Sequence, residues 1–247
     1  MANWSDPRTS GTPFVAAGTR TAAYDAGLRS YMLSVYNYMA SGVLLTGIVA
    51  LLFSWGGETS PAAQVLLHGG ILRWVIMLSP LAIIFAMQAG MARMSETAMQ
   101  GLYWGFAVLM GLSLSTIFLL YSGTSIAQAF FATAAGFAGL SLWGYTTKRD
   151  LSGFGTFLIM GLVGLIVASL VNLFLQSGPM QLVISVLGVL IFAGLTAYDT
   201  QKIKSIYAYV AGSDMVGKVA IQGALTLYLD FINMFLFILR LFGSQRN

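Results

Sequence analysis

The sequence predicts an all-α integral membrane protein whose seven helices cross the bilayer. Three observations predict it. Only 8% of the 247 residues are charged, against about a quarter in a soluble domain, and 57% are hydrophobic. So little charge cannot cover a water-exposed surface. Apolar runs of about 20 residues, the length that crosses a bilayer core, follow one another closely. The basic residues fall mostly in alternate connections between these runs.

Taken in order, residues 1–28 are polar and small, with prolines at Pro7 and Pro13. They hold no 7–15-residue apolar core behind a basic start, so they read as a tail, not a cleaved signal peptide. A short interfacial helix is expected at the end of this tail. Residues 29–247 form one membrane domain. Its spans are placed at 31–55, 71–92, 99–121, 124–146, 154–176, 180–201 and 219–242. SGTS at Ser122 to Ser125 and QSGP at Gln176 to Pro179 leave room only for tight turns. With the N-terminus inside, nine of the twelve Lys and Arg residues fall on the inner side. That bias predicts an inner N-terminus and an outer C-terminus. Were the last span to re-enter instead of crossing, the C-terminus would lie inside.

The 28 glycines include Gly101 and Gly105 at small-xxx-small spacing, with near-repeats at Gly136/Gly139 and Gly161/Gly164. Close helix contacts are expected there. Pro80 lies mid-span in MLSPLAI, where it removes one helical hydrogen bond, and is a hinge candidate.

Composition and motifs exclude much. Cysteine is absent, so there is no disulfide framework, thiolate nucleophile or Cys-ligated metal. The single histidine, His68, sits beside two glycines and reads as a loop residue. The chain has no phosphate-binding loop, GxSxG elbow or HExxH helix. No cofactor is expected. The net charge of +4 comes from residues scattered between apolar spans, so the bilayer is the expected partner, not nucleic acid.

What remains is a small set of charges within or beside the membrane. Asp230 stands in TLYLDFINMFLFILR. A carboxylate at the centre of a membrane helix costs roughly 2.5–3.5 kcal/mol on insertion scales. At steps of three and four it shares a small, polar face with Gly223, Thr226 and Asn233. That face is meant for protein or water. Asp199, in FAGLTAYDTQKIK, falls at the inner end of the sixth span. The connecting segment contains AGSD, which predicts an N-cap at Ser213 or Asp214 for the last helix. A helix starting there would project beyond the membrane, which brings Asp230 near the depth of Asp199. Two close carboxylates in a poorly solvated site cannot both ionise cheaply, so the pair titrates as a unit and senses protons. Two carboxylates could also hold calcium, a hard cation that prefers oxygen ligands, in passing. Arg93, in QAGMARMSET at the inner end of the second span, is either a positive-inside anchor or a latch that pairs with the ionised dyad.

These residues resemble the Bax-inhibitor-like, or transmembrane Bax inhibitor motif, family in its bacterial branch. The segments that carry the likeness are LRSYMLSVYNYMASG, ARMSETAMQGLYWGFAVLMGLSLSTIF, GYTTKRDLSGFGTFLIMGL, FAGLTAYDTQKIK and GALTLYLDFINMFLFILRLFG. They cover nearly everything after residue 28. The resemblance implies a seven-helix fold with the last helix central. It implies a pH-sensitive calcium leak controlled by an aspartate pair, here Asp199 and Asp230, and by an arginine on the second helix, matched loosely by Arg93.

Three functions are therefore in view. The first is a proton-gated cation leak in a bacterial inner membrane, with calcium as the permeant ion. The second is a non-enzymatic regulator that binds another membrane complex, such as a membrane protease. The third is an intramembrane aspartyl protease, which also uses a Tyr-Asp on one helix and an Asp on the next. That group reads Gly-x-Gly-Asp at the second position, where this chain reads Leu-Tyr-Leu-Asp. Its later Pro-Ala-Leu segment is missing here. No enzymatic activity is expected.

Overall fold

The computed structural model describes residues 17–244. The chain forms eight helices: α1 (Ala17–Phe53), α2 (Ile71–Gly90), α3 (Glu96–Leu114), α4 (Thr116–Leu120), α5 (Gly123–Thr146), α6 (Ser152–Leu175), α7 (Gly178–Val210) and α8 (Val216–Phe242). Between α1 and α2 run a 3-10 turn and a wider helical turn. The described residues contain no strand. Seven stretches are long and apolar enough to cross a membrane, α3 and α4 together making one of them. Buried Ser115 divides that pair, its hydroxyl donating to the Leu112 carbonyl at 2.6 Å.

Two helices run further than hydropathy predicts. The expected tail begins outside the described residues, and from Ala17 onward the chain is already α1. At the same end α7 continues past residue 201 to Val210. The two extensions support each other. Tyr207 of α7 packs its ring against Tyr24 and Tyr31 of α1, at 5.3 and 5.2 Å between centroids. Lys204 donates to the Tyr145 carbonyl at the end of α5, at 2.7 Å. A hydropathy window registers only the apolar core and stops short of such interfacial turns. The predicted cap of the last helix also moves. Ser213 accepts from Met215 N and donates to the Val210 carbonyl, so it closes the turn after α7, and α8 starts beyond it at Val216.

The last helix crosses fully. Its C-terminal end meets the α4–α5 turn, where Ser122 N donates to the Ser244 carbonyl and Ser244 N donates to Ser125 Oγ. It is also the central helix, packed by α1, α3, α5 and α7. Over its apolar window 56% of α8 is buried, against 11% for α2 and 17% for α6, so those two form the outer wall.

Hydroxyl chains tie the bundle together, and their direction follows from the donor count. Thr46 Oγ1 spends its one proton on the Ala107 carbonyl at 2.8 Å, so Tyr228 must donate to Thr46, at 2.7 Å. One threonine thereby links α1, α3 and α8. Likewise Thr200 donates to the Thr196 carbonyl, Ser141 donates to Thr200 and Tyr36 donates to Ser141, linking α1, α5 and α7.

Pro80 lies within α2 and leaves the Ile76 carbonyl without its helical donor. Two hydroxyls replace it: Ser79 of the same turn and Ser113 of α3, both at 2.9 Å.

The glycines that spacing singled out are not the ones in tight contact. A Cβ added at Gly101, Gly136, Gly139 or Gly164 would meet open space, and at Gly105 and Gly161 only the tip of an isoleucine. The close approaches are elsewhere. At Gly144 an added Cβ would lie 2.3 Å from the Ala197 carbonyl oxygen of α7, and at Gly188 it would lie 2.6 Å from the Phe237 ring of α8. Spacing alone cannot tell which face of a helix meets a neighbour. Gly144→Ala must push α5 off the α7 backbone, an overpacking cost of about 1–3 kcal/mol. Gly136→Ala, on the same helix, should be neutral. Thermal unfolding in detergent checks this, with a lower midpoint expected for the first variant only.

Candidate functional site

α7 and α8 are joined by a short turn at 211–215 and run back along one another. Asp199 and Asp230 lie about three to four helical turns from that connection, on α7 and α8 respectively, so they fall at similar depth. Both side chains are buried. The two carboxyl groups lie close enough to act directly on one another.

That closeness constrains which protonation states are inexpensive. An ionised carboxylate only accepts hydrogen bonds, so a bond between two carboxyl groups requires a proton on one of them. A second observation agrees. Asp230 Oδ2 is buried without a hydrogen-bond partner. An unpartnered oxygen costs far less on a neutral acid than on a carboxylate. The arrangement suits a pair that shares a proton.

The pair lies in the wall of a cavity of about 790 Å³. Thr226 and Asn233 line it beside Asp230, as the predicted polar stripe requires. Gly223 does not reach it; a Cβ there would approach Ile203, so this end of the stripe packs α8 closely against α7. Both polar side chains bond back to their own helix, Thr226 to the Gln222 carbonyl and Asn233 to the Leu229 carbonyl. The remaining lining is mostly apolar and includes Leu81 and Ile84 of α2 and Leu162 and Ile166 of α6. α2 rests on α3, and α6 rests on α7, but the two are not packed against each other. The cavity therefore lies behind a seam in the outer wall.

The cation facing the pair is Lys202. It lines the same cavity and acts through space on Asp199. Sequence analysis counts Lys202 only as a topology signal. The signal that could have found it is its position three residues after Asp199, on the same face of α7. Arg93 is elsewhere. It sits exposed in the turn after α2, where its backbone N donates to the Gly90 carbonyl, and it does not line the cavity. This conformation thus does not bring Arg93 to the pair. Pro80 is buried in α2, one residue from the cavity-lining Leu81. His68 is exposed in its loop. Among the described residues, no cluster of three or more His, Cys, Asp or Glu side chains forms around the pair or elsewhere.

Comparison with known proteins agrees with this architecture. A family model described as "Inhibitor of apoptosis-promoting Bax1" matches residues 28–247. The chain belongs to the Bax inhibitor family. It is similar to the inner membrane protein YbhL of Escherichia coli K12, at 44% identity covering 90% of this chain and 94% of that protein. An uncharacterized protein of Rickettsia prowazekii is 46% identical, covering 96% of this chain and 98% of its own length. An uncharacterized membrane protein of Streptococcus pyogenes is 38% identical over 90% and 95% of the two chains. With seven crossing helices and these relatives, this Bax inhibitor family member is an integral protein of a bacterial inner membrane.

Because the two carboxyl groups share one bond, their substitutions must not add. Asp199→Asn and Asp230→Asn, singly and together, form a double-mutant cycle on thermal stability. A coupling of about 0.5–3 kcal/mol is expected for residues in such contact. Additive effects would mean that the carboxyl–carboxyl bond carries no energy.

Proposed function

We propose that this family member is a proton-responsive cation leak, in which the Asp199–Asp230 pair sets whether an ion can pass. The observation that carries the reading is the buried, adjacent carboxyl pair in the wall of a large, mostly apolar cavity. With one proton shared, the pair carries a single negative charge, which Lys202 in the same lining offsets. Once both groups ionise they repel one another, and the carboxyl–carboxyl bond between α7 and α8 is lost. Lys202 is the fixed positive charge that biases this balance from the basic end of the cavity.

Calcium fits as the permeant ion. It takes 6–8 oxygen ligands, and two carboxylates with the Thr226 hydroxyl and the Asn233 amide make an incomplete shell. An ion there would keep part of its water, which suits passage better than residence. Protons and calcium would then compete for the same oxygens. Arg93 would take part only if the turn after α2 moved toward the pair.

A second reading rests on the seam between α2 and α6. An apolar cavity reached from the side of the bundle could receive a helix of another membrane protein, and the chain would then regulate that partner, for instance a membrane protease. Hydrolysis by the pair is the least supported reading, since the Gly-x-Gly-Asp pattern of intramembrane aspartyl proteases is absent.

Calcium flux into liposomes, measured across a pH series, separates these readings. Asp199→Asn and Asp230→Asn should each flatten the pH dependence. Wild-type flux from both variants at every pH would remove the sensor role. Capture of one specific membrane partner, unchanged by loss of both aspartates, would favour the regulator. Lys202→Gln should move the pH of half-maximal flux, while Lys218→Gln, at the start of α8 and outside the cavity lining, should leave it in place.

A further inference from the structure

A second, polar cavity of about 310 Å³ lies at the basic end of the bundle, between the α5–α6 connection and α7. Lys148, Arg149 and Lys202 line it, with Asp150 as the one acid and the hydroxyls of Ser152 and Ser205 already donating to Asp150 and the Lys202 carbonyl. Asp150 is already engaged. It accepts from the backbone N and the hydroxyl of Ser152 at the start of α6, and those bonds hold its carboxyl below the usual carboxylate range. The cavity therefore has a net surplus of two positive charges.

The connection is built to hold this shape. Gln201 of α7 donates to the Arg149 carbonyl at 2.8 Å and accepts from Leu151 N at 2.9 Å. Both bonds use the backbone of the connection, so the Lys148 and Arg149 side chains are left free of any part in fixing it. The two cations are not required by the fold, yet they line a formed cavity.

An apolar groove of about 520 Å³ continues along the same pair of helices. On α7 its residues Leu187 and Ile191 continue through Gly194 to Tyr198, Gln201 and Ser205 of the basic cavity, at alternating steps of four and three. On α6 the groove begins at Phe154, two residues beyond Ser152 of the basic cavity. Phe154 and Leu158 also close on Gly194, where an added Cβ would lie 3.2 and 2.9 Å from them. One stripe of the molecule thus carries a cationic cup at its end and, beyond the contact of Phe154 and Leu158 with Gly194, an apolar groove whose exposed residues suit lipid.

We propose that this stripe is a binding site for an anionic phospholipid, with the headgroup phosphate held by Lys148, Arg149 and Lys202 and an acyl chain laid in the α6–α7 groove. Basic pockets between membrane helices are suited to such headgroups. The source of the phosphate is the bilayer, because a free phosphate has no use for the adjoining groove. Lys202 and Tyr198 line both this cavity and that of the aspartate pair. The binding claim stands without the leak reading.

Native mass spectrometry of the detergent-purified protein, titrated with phosphatidylglycerol or phosphatidylcholine, tests it. Lys148→Gln/Arg149→Gln should weaken phosphatidylglycerol binding roughly thirtyfold, the effect of two cations near a membrane surface. The control Arg29→Gln/Lys218→Gln changes the charge equally at the same end and should bind as the wild type does. Equal loss in the two double variants would reduce the effect to general surface attraction and overturn the site. Equal binding of the two lipids by the wild type would overturn it as well. Complete displacement of the lipid by millimolar inorganic phosphate would assign the cup to free phosphate instead. Thermal unfolding shows whether each variant folds; if the first does not, Arg149→Gln alone takes its place, with about a fivefold loss expected and no loss overturning the proposal.

Discussion

A helix enclosed by other helices within a membrane has neither water nor lipid beside it, so each polar atom on it must find its partner among its neighbours. α8 is in that position, and the packing around it follows from this constraint. Tyr228 is satisfied by Thr46, which in turn holds α3 through the Ala107 carbonyl. Asp230 faces Asp199 of α7 and keeps its Oδ2 without a partner. Thr226 and Asn233 return to carbonyls of their own helix. Only Asp230 depends on a group that can lose its proton. The Asp199–Asp230 contact thus differs in kind from the hydroxyl and carbonyl contacts around the rest of α8.

The wall around this contact is uneven. α1, α3, α5 and α7 surround α8, and hydroxyl chains lock several of them together. α2 and α6 are each attached along one side only. The bond that Pro80 removes from α2 is replaced by one from Ser113 of α3. That replacement holds α2 to α3 at its weakest turn, yet gives no second neighbour to resist a swing. The aspartate cavity is lined by just these two loosely held helices, so its volume is the least expensive feature of the fold to change.

Much of the site was legible because a polar stripe on an apolar helix has few explanations. Asp230, Thr226 and Asn233 were readable as one face, and the facing of Asp199 followed once the last helix was allowed to start outside the membrane core. What could not be read has physical causes. Hydropathy senses the bilayer core, so it missed the α1 and α7 extensions that Tyr24, Tyr31 and Tyr207 pack together in the interface. Glycine spacing carries no information about which face meets a backbone, so it points to pairs that face open space or an isoleucine tip and not to Gly144 and Gly188. Charge counts treat every lysine on one side of the membrane alike, so they mark Lys202 only as a topology signal and leave Arg93 as either an anchor or a latch.

The position of Lys202 joins the two cavities in one electrostatic problem. Its ammonium lies along α7 between a carboxyl pair on one side and a cationic cup on the other. A charge on a flexible four-carbon stem can lean toward either. With the cup empty, Lys148 and Arg149 repel it toward Asp199, which favours the ionised state of the pair. An anion in the cup reverses that preference, since its charge offsets the two cations and attracts Lys202 in turn. The pair then faces less positive charge. Lipid composition at the basic end and proton concentration would in this way act on the same bond between α7 and α8, through a single side chain.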